Sequence, residues 1–389
     1  MNRRARTAAL TAATAVALSV AIAAPALAAA PAGASGGHEA TRRAMRAAVA
    51  DGVPGATLTV RQGHGTWAGT AGVGNMDTGK PRSVRDHYRV GSITKTFVAT
   101  VVLQLEAEGR LSLDDTVEHW LPGAVRGNGH DGGRITVRQL LNHTSGVFDY
   151  LEDPDFQQTY MTPDGFMKHR FDEAAPEDML AVAMRNRPYF EPGASFAYSN
   201  TNYLLAARVI EKATGNDYGE EIDRRIIAPL HLTSTSVPTT RVTLPRPSSR
   251  GYSKLSRETT GPTYDVTELN ARMAYGSGQM VSSSADLTRF YSALLGGRLL
   301  PTEQLKKMKT TVPSSREGSR YGLGLVDRKL GCGVHVWGHD GGIYGSISDA
   351  VTTGNGRHSL AVNFNGDWSG STDAIVEAEF CGDGVSGPA

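Results

Sequence analysis

Apolar and polar positions follow two different periods along the chain, and the changes of period mark out its elements. From Glu39 to Val49 apolar positions recur three and four residues apart, which predicts an amphipathic helix stopped by Asp51-Gly52. Ala56 to Gln62 and Thr66 to Gly72 alternate with period two around a glycine-containing turn and predict two strands. Ser92 to Glu108, ended by Gly109, has no polar face and predicts a buried helix. From there to about Leu295 the pattern is mostly helical with long polar connections, Tyr203 to Lys212 among the helical stretches. Strand patterns return at Tyr321 to Val326, Val334 to Trp337, Ile343 to Val351 and His358 to Asn363, and Ser371 to Cys381 closes as a helix with Ser or Thr at its cap. Strands at both ends with helices between predict an α/β (α+β) fold: one sheet assembled from the two terminal segments, carrying a mostly helical insertion.

Residues 1 to 30 do not belong to this pattern. Arg3, Arg4 and Arg6 form a basic start, Ala8 to Ala24 is apolar, and Ala26-Leu27-Ala28 supplies a small-x-small cleavage site, so the segment reads as a signal peptide. The alternative is a membrane anchor, but the stretch is Ala-rich, runs into Pro25 and has no second spanning stretch after it. A secreted protein without a stable membrane anchor is expected, its single domain over 31–389 divided into a sheet part (about 36–90 and 296–381) and a helical part (about 91–295). With 40% apolar and 20% charged residues, a chain of 389 residues has the profile of a soluble globular protein. Lys and Arg (40) nearly cancel Asp and Glu (39), and no basic run follows the N-terminus, so a nucleic-acid partner has no electrostatic support. In an exported chain Cys332 and Cys381 read as one disulfide, the pairing forced by the count, with a loop-closure contribution of about 4 kcal/mol. The alternative, a reactive thiol or metal pair, has no C-x-x-C or H-E-x-x-H beside it, and neither metal nor cofactor is expected.

The buried helix carries the first candidate chemistry. Lys95 is the one charge between Ser92 and Leu105, a turn away from Ser92 on the same face. A buried ammonium is costly unless paired or lowered in pKa, and either condition lets it activate a neighbouring hydroxyl at a helix start, where free N–H groups favour an oxyanion. S-x-x-K by itself is a frequent chance match. Two other matches fail on context: Gly33 to Gly37 fits G-x-S-x-G but lies in a linker, and Gly74 to Lys80 approaches a P-loop but meets Pro81 and reads as a turn. Tyr198-Ser199-Asn200 reads alone as an ordinary helix cap. Trp337-Gly338-His339-Asp340-Gly341-Gly342 falls where a strand belongs, with glycines that mark close approach of a ligand or another backbone.

Taken together, Ser92-Ile93-Thr94-Lys95, Tyr198-Ser199-Asn200 and His339-Asp340-Gly341 resemble the S-x-x-K, Y-x-N and H-x-G motifs of the serine penicillin-recognising enzymes, in the branch of class C β-lactamases and exported DD-carboxypeptidases. The segments Arg110 to Asp115, Gln139 to Gly146 and Ala274 to Leu287 resemble that family too, and the likeness runs from about residue 36 to 381. It implies a β-lactamase/DD-peptidase-like fold with an antiparallel sheet flanked by helices. It also implies an acylated Ser92, a proton-transfer pair in Lys95 and Tyr198, and Asn200, His339, Asp340 and Gly341 as substrate-binding residues. The oxyanion hole would be the N–H groups of Ser92 and Gly342, and His143 a structural residue of its turn. Two departures stand out: Asp340 replaces the usual hydroxyl, and Val326 occupies the position of a carboxylate-binding Arg, with Arg328 two residues later. The expected activity is a monomeric serine hydrolase on a small peptide, amide, ester or β-lactam, nearest to a D-alanyl-D-alanine carboxypeptidase. A β-lactamase, an esterase or a D-amino-acid amidase are the enzymatic alternatives, and a penicillin- or cell-wall-binding module the non-enzymatic one.

Overall fold

The computed structural model describes residues 37–256 and 260–382. The signal-peptide reading and most of the linker lie outside the described residues. An eight-stranded antiparallel sheet is built from both terminal segments: β1 (Gly55–Gln62) and β2 (Gly65–Gly72), then β3 (Val312–Pro313), β4 (Ser319–Tyr321), β5 (Val326–Lys329), β6 (His335–Ile343), β7 (Ser346–Thr353) and β8 (His358–Phe364). Their order across the sheet is β2-β1-β8-β7-β6-β5-β4-β3, so the two segments meet where β1 pairs with β8, Ala56 opposite Phe364 and Gln62 opposite His358.

Alternation along the strands gives the sheet two apolar faces. Leu58, Val336, Val351, Leu360, Val362 and Phe364 pack with Met45 and Ala48 of α1 (Glu39–Ala50) and with Ile375 and Val376 of α5 (Thr372–Cys381). Ala350 and Ala361, on the other face, join a larger core with α2 (Thr94–Ala107), α3 (Asn200–Thr214) and α4 (Ser284–Leu295). Phe97 of α2 stacks on Phe290 of α4, ring centroids 3.7 Å apart, so α2 lies in the middle of the molecule. Cys332 and Cys381 are at bonding distance, Cα atoms 5.8 Å apart, joining the β5–β6 turn to the end of α5.

Three strand predictions need correction. Tyr321 to Val326 is a hairpin connection: β4 ends at Tyr321, and Leu323 and Leu325 are buried against the helical core instead of alternating. The turn depends on Gly324 at φ +67°, where a Cβ would lie 2.6 Å from the Ala99 Cβ of α2. Val334 to Trp337 is too short and Ile343 to Val351 starts too early, because β6 continues through its glycines to Ile343, the hairpin turn falls at Tyr344-Gly345 and β7 begins at Ser346. Those glycines are required by packing: a Cβ on Gly338 would lie 2.0 Å from the Ala350 carbonyl oxygen.

Candidate active site

Ser92 lies in a 3-10 turn, Gly91–Ile93, that runs directly into α2. Gly91 enters this turn at φ +53°, and a Cβ on it would lie 2.8 Å from Gly342 N. A Cβ on Gly341 would lie 2.0 Å from the Val90 carbonyl oxygen and 2.8 Å from Ser92 N. With glycine at both positions β6 lies flat against the turn, and Gly342 comes beside Ser92. Lys95 is fully buried one turn on, and its three protons all have acceptors: Ser92 Oγ at 2.9 Å, Asn200 Oδ1 at 2.8 Å and the Ser277 carbonyl oxygen at 2.9 Å. Burial pushes the Lys95 ammonium down to about 7, against the opposing pull of Asp149 and Asp340.

Tyr198 packs its ring under this amine, Lys95 Nζ standing 4.8 Å from the ring centroid. Burial raises the Tyr198 phenol well above its ordinary value, with the interaction with the Ser92 side chain pulling the other way. The helix-cap reading of Tyr198-Ser199-Asn200 is half right. Ser199 is the residue before α3, but its hydroxyl makes no capping bond. The stretch is held instead by His143, whose Nδ1 accepts from the Ser199 backbone N–H at 3.2 Å and from Asn202 Nδ2 at 3.1 Å. His143 has the positive φ (+60°) of a turn residue, and it is also the first member of a buried chain. With Nδ1 accepting, its proton is on Nε2 and goes to Tyr321 Oη at 3.2 Å; Tyr321 in turn donates to His339 Nε2 at 2.8 Å, and His339 Nδ1 donates to the Asp340 carbonyl oxygen at 2.6 Å. Every link fixes the tautomer of the next, and burial pushes His143 well below its ordinary value and His339 down to about 4. Both imidazoles are therefore neutral at pH 7.

Asp340 is placed differently from its neighbours. The strand alternation puts His339 and Gly341 on the face toward α2, and Asp340 on the other, directly across from Asp349. Its side chain is 58% exposed, its Oδ1 3.7 Å from His339 Nδ1. Arg328 shares that face and is fully engaged, donating to Asp349 at 2.6 and 2.8 Å and to Asp373 at 2.9 Å. Burial alone would lower its guanidinium, but Asp349, with Asp340 and Asp373 adding, holds it charged above its ordinary value. Arg328 is thus held by its own partners on the face away from α2. The sequence reading also missed three groups: Asp149, which bonds Asn200, Tyr321 in the histidine chain, and the Ser277 carbonyl. Gln139 to Gly146 ends three residues short of Asp149, and Tyr321, although it opens the expected strand Tyr321 to Val326, carries no motif that points to chemistry.

Ser92 and Asn200 open into a cleft of about 620 Å³, walled by Leu151, Met161, Leu255, Met273 and Tyr344, with Asp367 at one side. A wider groove of about 1310 Å³, near Lys80 and Arg246, contains none of the motif residues. Among the described residues no helix is long and apolar enough to cross a membrane.

Known proteins share both sequence and fold with this chain. It is 28% identical over 302 residues to penicillin-binding protein 4* of Bacillus subtilis, 74% of this chain but 62% of that protein's length. A D-stereospecific amidohydrolase from Streptomyces sp. has a solved structure that superposes with a TM-score of 0.85 at 57% identity, covering 89% of this chain and 99% of that one. The D-amino acid amidase of Ochrobactrum anthropi SV3 superposes with a TM-score of 0.75 at 27% identity, covering 87% and 98%. The beta-lactamase family model matches residues 41–373, and with the sheet, the helix-borne Ser92-x-x-Lys95 and these relatives in agreement, the chain belongs to the beta-lactamase family of serine penicillin-recognising enzymes.

Proposed function

We propose that the protein is an exported, monomeric serine hydrolase that cleaves amides and peptides of D-amino acids through an acyl-enzyme. The observation that carries this reading is the 2.9 Å contact between Ser92 Oγ and a buried Lys95 amine whose pKa lies near neutrality. As the free amine, Lys95 accepts the Ser92 proton while Oγ attacks the substrate carbonyl carbon. The backbone N–H groups of Ser92 and Gly342 stabilise the oxyanion. Tyr198, which retains its proton at neutral pH, hands it to the departing nitrogen and is reprotonated from the Lys95 ammonium. Water then attacks the ester by the same route in reverse. Asn200 has one amide N–H free for the substrate carbonyl. A binding module needs no such proton-transfer pair.

The choice of amide over free acid rests on charge. A carboxypeptidase needs a cation for the terminal carboxylate, but Val326 stands at the expected position and Arg328 is held by Asp349 and Asp373. Asp367 is the carboxyl group at the edge of the cleft. The likeness to a D-stereospecific amidohydrolase and a D-amino acid amidase supports the same choice.

Labelling with a fluorophosphonate or a fluorescent penicillin should mark Ser92 alone, and Ser92→Ala should abolish it; persistent label in that variant sinks the assignment. Lys95→Ala and Tyr198→Phe should each cost about 10²-fold or more in turnover. On a D-Ala-D-Ala peptide and its C-terminal amide, the wild type should prefer the amide. A wild-type preference for the free acid makes the protein a carboxypeptidase instead.

A further inference from the structure

We propose that Asp149 is a positioning residue for Lys95, acting through the side chain of Asn200; the proposal rests on the reading of Ser92 and Lys95 given above. Asp149 is 4% exposed and sits at the head of a short 3-10 turn, where Oδ1 accepts from the Leu151 backbone N–H at 3.1 Å. Its other oxygen, Oδ2, accepts from Asn200 Nδ2 at 2.8 Å, while Asn200 Oδ1 accepts from Lys95 Nζ at 2.8 Å.

An amide placed between a carboxylate and an amine that donates to it has one consistent orientation. Its nitrogen must face the carboxylate and its oxygen the amine, since the reverse sets N–H against N–H and oxygen against oxygen. Asp149 thereby keeps Asn200 from flipping. The oxygen then remains committed to Lys95, and the second Nδ2 proton is left for the cleft that Asn200 lines. With Asp149 removed, a flipped Asn200 would deprive Lys95 of one of its three acceptors and offer the substrate carbonyl an oxygen in place of a donor.

The second effect is electrostatic. The groups facing Lys95 are Asp149 from the 3-10 turn, His339 and Asp340 from β6, His143 from its own turn, Tyr198 from the residues just before α3 and Tyr203 from its first turn. Burial keeps the two histidines neutral and both tyrosines protonated near pH 7. Asp149 and Asp340 are therefore the acidic groups among these; burial raises the Asp149 carboxyl above its ordinary value while the bonds from Asn200 and Leu151 and the charge of Lys95 pull it back, and Asp340 is exposed on the far face of β6. Asp149, whose own surroundings also include Tyr150 and Tyr189, is the buried counter-charge. It opposes the effect of burial on the amine, so its loss favours the free amine at lower pH.

The test is the pH profile of kcat/KM on a D-phenylalanine amide for wild type, Asp149→Asn and Asp149→Ser, alongside fluorophosphonate labelling. Both substitutions retain an acceptor for the Leu151 N–H, and Asp149→Ser serves if the other fails to fold. In the folded variant the acidic limb should move toward acid by about one unit, with at least about a tenfold fall in the plateau. A merely structural Asp149 would lower the plateau and leave the limb where it is; that result overturns the proposal. If wild type is not labelled at Ser92, the proposed function fails first, and the two failures are told apart by that control.

Discussion

A buried amine next to a hydroxyl sets the pH behaviour of the site. Burial lowers Lys95 to about 7, so the free amine that can take the Ser92 proton dominates above that pH and vanishes below it. Activity should therefore rise through pH 7 and level off, with no further limb between pH 5 and 9 from His339, at about 4, or from Tyr198, raised well above its ordinary value. A profile that is flat or falling between pH 6 and 8 would contradict Lys95 as the base. Ser92 and Lys95 were legible in the sequence because one charge interrupts an otherwise apolar helix, and a lone charge in such a setting needs a reason. Asp149 and Tyr321 were not, since Asp149 lies in a connection and Tyr321 at the end of β4, and each matters through side chains distant in sequence, Asn200 being 51 residues and His339 18 residues away.

The contacts that hold elements together pose a different question, whether an ion pair stabilises them. Arg328 of β5 bonds Asp349 of β7 across the intervening β6, and Gly338 in that strand leaves room for the side chain to cross. Both partners are buried, side chains 8% and 0% exposed. Arg328→Met would leave the Asp349 carboxylate without its partner and should cost about 3–5 kcal/mol, read from urea denaturation. Arg328→Met combined with Asp349→Leu should recover most of the loss; if it does not, the pair acts through packing alone. The same region shows why element boundaries were harder to read than element types. Period-two patterns identified β1, β2, β8 and most of β7, whereas the glycines of β6 look like breakers until the Ser92 turn and β7 are seen pressing on them.

For the whole molecule, closure depends on the chain's last elements. Cys332 and Cys381 enclose α5, β6, β7 and β8, and the loop model predicts that Cys332→Ser lowers stability by about 4 kcal/mol; an unchanged melting temperature would show that α5 is held by its apolar contacts alone. Intact mass of protein secreted by its native host should show a start near Ala29 or Pro31 and no free thiol. The overall architecture was readable because strand patterns cluster at both ends of the sequence, and such clusters satisfy their backbone hydrogen bonds most directly by pairing with each other.

The seam between β1 and β8 also sets a timetable. Leu58 waits for Val362, and Ala56 for Phe364, so the centre of the sheet cannot form until some 300 further residues have emerged. Contacts this distant in sequence make folding slow, because the closure entropy comes before any compensating burial. Until then β1 has β2 as its one neighbour in the sheet. For the exported protein proposed above, such a delay would be an advantage: the last strand to leave the export channel would be the one that locks the sheet.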